Sequence, residues 1–322
     1  MEGPTACRIC SGALRLIRRG GGEPLAPDSL APTCHRTGAH GDLYRCQSCG
    51  AVEQPSLPRG NELHELYRRM RDEEYLREEV GRRRTAARLL KLLGAPPSGA
   101  RLLEVGCGPG LLLDEARRLG WSVHGLDLSM AAARYARERL GLRLLERPLE
   151  EADLGSELFD AIVIADVLEH LDDPVGAIDR CARLLAPGGA LLIVTPDPSS
   201  PTARLFGRRW WGYIPAHSCL IPRATLRRLI EERGMAIAAD RAYVRSFSPA
   251  YWLDGLAERG VMVKALRGLA RRLPSRALLS LSLGDERVLL ARRASVRSAP
   301  EPPGAPPADR SAAARAADPA GP

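Results

Sequence analysis

The chain predicts an α/β fold: a doubly wound, mostly parallel sheet preceded by a small cysteine-rich head. Three observations carry this. Residues 102–110, LLEVGCGPG, read as a short buried strand entering a glycine turn, and residues 124–129, HGLDLS, as a second strand ending in a carboxylate. Short apolar runs then alternate with helical patterns as far as residue 293. Two C-x-x-C pairs lie ahead of all of this.

The head comes first, as residues 1–60. Cys7 and Cys10 in CRIC, and Cys46 and Cys49 in CQSCG, each present two thiolates from one turn. Two such turns complete the tetrahedral shell of a closed, structural zinc site, which makes the head a small zinc ribbon. Redox or disulfide pairing is the competing reading, weaker in a reducing compartment. The intervening stretch is longer than a minimal ribbon requires, and GGGEPLAPDSLAP reads as irregular loop. Cys34, His35 and His40 lie within it and are expected to be solvent-exposed, because four thiolates already fill the shell.

Residues 61–98 form a charged helical bridge, with Leu63, Leu66, Tyr67 and Met70 at helical spacing before Gly94 and Pro96 stop the pattern. It is expected to cover the ligand site, with Tyr67 and Tyr75 either lining the pocket or simply packing. The sheet domain follows over residues 99–294. Residues 130–140 read as helix, 142–146 as a strand, 161–165 as a buried strand and 174–185 as a helix. Pro187, Gly188 and Gly189 then turn the chain into a strand at 190–195. Residues 236–243 and 284–293 supply the last strands, the final one antiparallel. In such sheets ligands sit beyond the carboxyl ends of the strands.

Between those strands, Trp210, Trp211 and Tyr213 cluster just before His217, which reads as a substrate lid followed by a helix at 222–234. An insertion at 246–283 contains VMVKALRGLARRL, read as an amphipathic helix packed on its own domain or, alternatively, resting on a membrane surface or holding a lipid-linked substrate. Residues 295–322, rich in Ala, Pro and Arg, are expected to be disordered.

Composition narrows the partners. The 322 residues carry 47 Lys+Arg against 39 Asp+Glu, a net charge of +8. A polyanion or an anionic membrane could use that charge. Yet Lys91 and Lys264 are the only lysines, so the arginine excess, beside abundant Ala, Gly and Pro, fits coding composition better than a binding face. Aromatic residues are 4% of the chain, which leaves no evident stacking platform for single-stranded nucleic acid. No apolar run reaches the ~20 residues of a membrane span, and MEGPTACRIC lacks the pattern of a signal peptide. A cytoplasmic protein is expected, with peripheral membrane contact as the variant.

The glycine turn seats a ligand, and its neighbours select which. Gly106, Gly108 and Gly110 let backbone approach a bound molecule closely. A glycine triplet alone also serves dinucleotides, phosphates or a plain tight turn. Glu104 at its mouth would repel a pyrophosphate, and Pro109 removes an N–H donor from the helix start. Asp127 ends the next strand, where a carboxylate can accept hydrogen bonds from two ribose hydroxyls. A ribose without phosphate, plus a positive centre, describes S-adenosylmethionine.

Four blocks carry a family resemblance: ExGxGxG at residues 104–110, the acidic strand end at Asp127, FDAIVIADVLEHLDDP at 159–174 and LLAPGGALLIVTPD at 184–197. In that order and spacing the chain resembles the class I S-adenosylmethionine-dependent methyltransferases over residues 99–294. The resemblance implies a Rossmann-like sheet in which Gly106 and Gly108 pack against the methionine part, Asp127 and its neighbour Leu128 take the ribose, Leu149 borders the adenine and Asp166 faces the reacting centre. The head, with YRCQSCG and then ELYRRMRDEEYL, resembles the zinc ribbon of bacterial methyltransferases that modify cell-surface or polyketide sugars. It departs from them in CRICSG and in its long loop.

Methyl transfer to a hydroxyl needs alignment and one proton acceptor. His217 is the first candidate, with His170 and Asp166 next and Glu169 beside them; a packing role for His170 is the plain alternative. No second metal-ligand constellation stands out. The reading is therefore a methyltransferase acting on a hydroxyl or carbon of a sugar, glycan or lipid-linked intermediate. Alternatives are a quinone or other small-metabolite methyltransferase, an RNA-binding modification factor, and a donor-binding protein without turnover.

Overall fold

The computed structural model describes residues 6–21, 25–31, 40–71, 74–156, 158–257, 266, 268, 270, 272–273 and 277–295. The tail and most of the basic stretch at 261–273, with Cys34 and His35, lie outside them.

The head contributes β1 (Leu14–Arg18), β2 (Leu43–Cys46) and β3 (Val52–Glu53). Two helices bridge it to the sheet domain, α1 (Asn61–Arg69) and α2 (Glu79–Leu93). Then come β4 (Arg101–Val105), α3 (Leu111–Arg118), β5 (Ser122–Leu126) and α4 (Met130–Tyr135). They are followed by β6 (Phe159–Ala165), α5 (Pro174–Leu184), β7 (Leu185–Pro196) and α6 (Pro201–Phe206). The chain continues through β8 (Cys219–Leu220), α7 (Arg223–Glu231), β9 (Met235–Ala242), β10 (Arg245–Phe247), α8 (Pro249–Ala257), β11 (Leu279–Leu281) and β12 (Glu286–Arg293).

Six strands form the central sheet in the order β5-β4-β6-β7-β12-β9. The first four are mutually parallel, and β12 runs antiparallel to both its neighbours. Alternation along each strand builds two cores. Leu103, Val105, Ile162, Ile164 and Ile193 face α5 and α7, while Leu102, Ala161, Val163, Leu192 and Val194 face α2 and α3. A parallel sheet covered on both faces demands strands apolar at every position, which β6 and β7 nearly are. The doubly wound Rossmann-like architecture expected from the strand and helix alternation is the one observed.

Local chemistry sets the helix starts. Ser129, Asp173 and Ser200 accept hydrogen bonds from Ala132, Gly176 and Ala203, and proline follows directly at 174 and 201, where no N–H is needed. One expected element is missing: residues 142–146 form only a single bridge, Leu145 to Leu126. The segment is bounded by left-handed Gly141 and by Pro148, which has no N–H for a ladder, and it carries Arg143, Glu146 and Arg147.

β8 joins the head. Val52 pairs with Leu220 and Glu53 with Cys219, giving a four-stranded sheet β1-β2-β3-β8. The expected aromatic lid is corrected here. Trp210 is fully buried and Tyr213 nearly so, both packed against Leu43, Val52 and Leu220, with Trp210 Nε1 donating to Asp285 Oδ2 at 2.7 Å. A buried indole needs that partner, and the aromatic pair seals the head onto the sheet domain. His40, expected to be exposed, is buried and meets the Tyr213 ring edge-on. No helix among the described residues is long and apolar enough to cross a membrane.

Candidate active site

β4 and β6 are adjacent, yet the chain leaves β4 toward β5 on one side and returns on the other, so a crevice opens at their carboxyl ends. A cavity of about 770 Å³ occupies it. Gly106, Gly108, Asp127, Leu128 and Leu149 line one half. Asp166, Glu169, His170 and His217 line the other, together with Leu30 of the head and Tyr67 of α1.

In the first half the glycine turn works by geometry. Gly106 has φ 66°, and a Cβ there would lie 2.3 Å from Val167 Cγ2. Gly108 has φ 51° with no atom within 4 Å of an added Cβ, so it leaves an open cradle. Gly110, at φ 81°, caps α3 against Leu142 and is not part of the cavity wall. Asp127 accepts hydrogen bonds from Gly108 N at 2.7 Å and Ser129 N at 2.8 Å. Burial pushes its carboxyl up and those two N–H groups pull it back. Glu104 stands behind the turn, also outside the cavity wall, with Oε2 buried and lacking a hydrogen-bond partner among the described residues. Burial first, then the Asp127 charge, raises its pKa well above the ordinary range. The open glycine cradle beside the Asp127 carboxylate fits a nucleoside ribose and not a pyrophosphate, which that carboxylate would repel.

The second half holds the titratable groups. Asp166 sits at φ 57°, rare for a residue with a side chain, so the turn after β6 is strained and aims it into the cavity. Burial raises its carboxyl to about 6, opposed by Arg245, whose Nη2 stands 2.9 Å from Oδ1. Arg245 is also paired in parallel with Glu286 at 2.6 and 2.8 Å, so Asp166 belongs to an ion-pair network. Glu169 accepts from Thr195 Oγ1 at 2.9 Å and is pushed up to about 8 by burial and then by Asp166, so it carries a proton at neutral pH.

Both histidines are fixed in one tautomer. A carbonyl only accepts, so His217 Nδ1 donates to Gly212 O at 2.8 Å and His170 Nδ1 donates to Ala216 O at 3.0 Å. Each Nε2 is therefore bare. Burial lowers His217 to about 4, and burial with the His217 charge lowers His170 to about 3, so both rings are neutral. His217 Nε2 lies 4.0 Å from Glu169 Oε1. The ring centroids are 4.9 Å apart, and Tyr67 Oη is 3.0 Å from His170 Nδ1.

Glu169, His170 and His217 each offer a ligand atom within 4.8 Å of the others, so they could hold a divalent cation. Imidazoles oriented by Nδ1–H bonds to carbonyls suit that role. No second metal-ligand group stood out in the sequence, where the 46 residues between His170 and His217 hide this candidate.

In the head, the four sulfurs of Cys7, Cys10, Cys46 and Cys49 also lie within 4.8 Å of one another. Cys7–Cys49 and Cys10–Cys46 are 3.7 and 3.5 Å apart, too far for disulfides. Ile9 N donates to Cys7 Sγ and Cys49 N to Cys46 Sγ. Burial raises Cys7 and Cys49, the latter to about 12, whereas hydrogen bonds from Cys49 and Ser48 outweigh burial and draw Cys46 down to about 7. Four convergent thiols with sulfur-directed N–H groups fit a tetrahedral metal.

Sequence reasoning missed Leu30 and Arg245, whose roles depend on contacts between remote segments. It placed Trp210 and Tyr213 at the site, where only Trp211 of that cluster reaches the cavity.

Comparison with known proteins bears on the family. A family model described as a methyltransferase domain matches residues 75–239. A ubiquinone biosynthesis O-methyltransferase of Cereibacter sphaeroides is 31% identical over 212 residues, which is 62% of this chain and 83% of that one. Its counterpart in Alkalilimnicola ehrlichii is 39% identical over 118 residues, 34% of this chain and 46% of that one. The chain thus spans most of the first relative and under half of the second. Among solved structures, an N-methyltransferase of Bradyrhizobium japonicum is 18% identical, covering 72% of this chain and 97% of that one at a TM-score of 0.46. The chain belongs to the S-adenosylmethionine-dependent methyltransferases of class I, with the Rossmann-like sheet of that family.

Proposed function

We propose that this chain methylates a ring hydroxyl of a small, largely apolar acceptor of the quinone-precursor type. The single observation that carries the reading is the geometry of His217, whose Nδ1–H is taken by Gly212 O so that Nε2 is left to face a cavity walled by Leu30, Tyr67 and Trp211. A phenol, with an ordinary pKa near ~10, yields its proton to an imidazole far more readily than a sugar hydroxyl does. The relatives named for ubiquinone biosynthesis support the same choice over the sugar or glycan acceptor suggested by the ribbon.

When bound, S-adenosylmethionine supplies a sulfonium methyl, which ends on the acceptor oxygen and leaves S-adenosylhomocysteine. Asp127 would hold the ribose, with Leu128 beside it and Leu149 against the adenine. Gly106 and Gly108 would admit the methionine part, with Glu104 standing behind the turn. His217 takes the hydroxyl proton at Nε2 while Gly212 O steadies the imidazolium through Nδ1–H. His170, fastened to Ala216 and Tyr67, orients the acceptor, and Asp166 keeps Arg245 in place. Zinc would occupy the four cysteines.

The test is transfer of a labelled methyl group from S-adenosylmethionine to an ortho-dihydroxyphenyl acceptor, with a nucleotide sugar in parallel. Label on the ring oxygen is expected; label on the sugar alone overturns the acceptor assignment.

A further inference from the structure

Gln54 stands five residues after Cys49 and is 1% exposed. It belongs to the head, yet its side chain is spent on backbone elsewhere. Nε2 donates to Ile214 O at 2.8 Å and to His217 O at 2.6 Å, and Oε1 accepts from Gly41 N at 2.8 Å. Its own backbone N donates to Ser218 O at 3.0 Å. The main chain of His217 is thereby clamped from the head on one side, while its ring is held by Gly212 O on the other.

The clamp connects to the cysteines by two routes. Glu53, adjacent to Gln54, pairs with Cys219 in the shared sheet and takes two bonds from Arg8, through N and Nε at 3.1 Å each. Arg8 lies inside the first C-x-x-C turn and also reaches Ser218 Oγ and Asp172 O at 3.4 Å. Thr225 Oγ1, from α7, donates to Cys49 O at 2.7 Å. Residues 214–218 therefore hang from a sheet whose turns carry the four converging thiols.

We propose that the cysteine head is part of the acceptor site, with Gln54 the positioning residue that transmits its fold to His217. This rests on His217 as the proton acceptor. The head also brings Leu30 into the wall of the cavity, packed with Leu63 and Ala216, so its long loop shapes what the acceptor half admits. A metal held by the four cysteines would act at a distance, by fixing the turn that carries Arg8 and the strand that carries Gln54.

Gln54→Met keeps the volume but removes the donor to Ile214 O and His217 O and the acceptor for Gly41 N; Gln54→Glu puts an acceptor where the donor stood. Both are expected to retain metal content and donor affinity, to lose about tenfold or more in kcat with a smaller change in acceptor KM, and to shift the His217 Nδ1–H resonance in nitrogen-15 spectra. Should either variant fail to fold, amide exchange of the wild-type chain before and after chelation reads the same link, and residues 210–218 should exchange faster once the metal is removed. A wild-type His217 resonance and kcat in both variants, or unchanged exchange after chelation, overturns the proposal. If His217→Ala leaves turnover intact, the proton-acceptor reading falls instead, while the resonance still reports on the clamp.

Discussion

The two halves of the cavity are built on opposite principles. The donor half comes from short consecutive loops, residues 104–110 and 127–129, whose backbone N–H groups and glycine dihedrals make the site. The acceptor half draws on the head, α1, the turn after β6, the segment before β8 and β10, and it works through side chains. Donor geometry is therefore local and rigid, while acceptor geometry depends on how distant pieces dock. One cofactor can be kept while the acceptor wall changes, because the second half depends more heavily on long-range side-chain contacts.

Breaking the halves separately sharpens that contrast. Asp127→Ala should have the largest effect, weakening the donor on the order of 10²–10⁴-fold if two charge-assisted bonds of ~1.5–3 kcal/mol each are lost, with metal content unchanged; titration calorimetry measures it. Next comes His217→Ala, expected to cut kcat about 10²-fold while donor affinity stays within about twofold, as steady-state kinetics would show. Gly106→Ala drives a Cβ into Val167 at a left-handed φ and should lower stability by ~1–3 kcal/mol, read as a fall in Tm. An unchanged Tm would mean the turn is looser than its dihedrals imply.

The smallest expected effect is a pH slope. Glu169 is raised from its ordinary 4.5 to about 8, so between these values the native state holds a proton that the unfolded chain has released. Stability present below about pH 4.5 is thus lost as pH rises toward 8, and Glu169→Gln should flatten that decline in thermal melts. His217 and His170, lowered from 6.5 to about 4 and 3, act oppositely: the unfolded chain binds more protons, and stability drains as pH falls from 6.5.

Legibility in sequence follows the same division. The glycine turn, the carboxylate after β5, the buried β6 and the paired cysteines each have a local signature in spacing or period, and the structure places them together as expected. The bond from Gln54 to His217 O has none, since nothing periodic links residues 163 positions apart. Trp210 and Tyr213 misled for a related reason: an aromatic cluster in a loop signals a binding surface or a docking core equally well, and here Leu43 and Val52 of the head cover it. Residues 142–146 had the apolar character of a strand, but they make only the single bridge from Leu145 to Leu126.

Calorimetric titration of S-adenosylmethionine into the wild-type chain, His217→Ala and Asp127→Ala, side by side, tests the division most directly. The account predicts equal affinity for the first two and a collapse for the third. Equal binding by all three, or a loss as severe in His217→Ala, would contradict it.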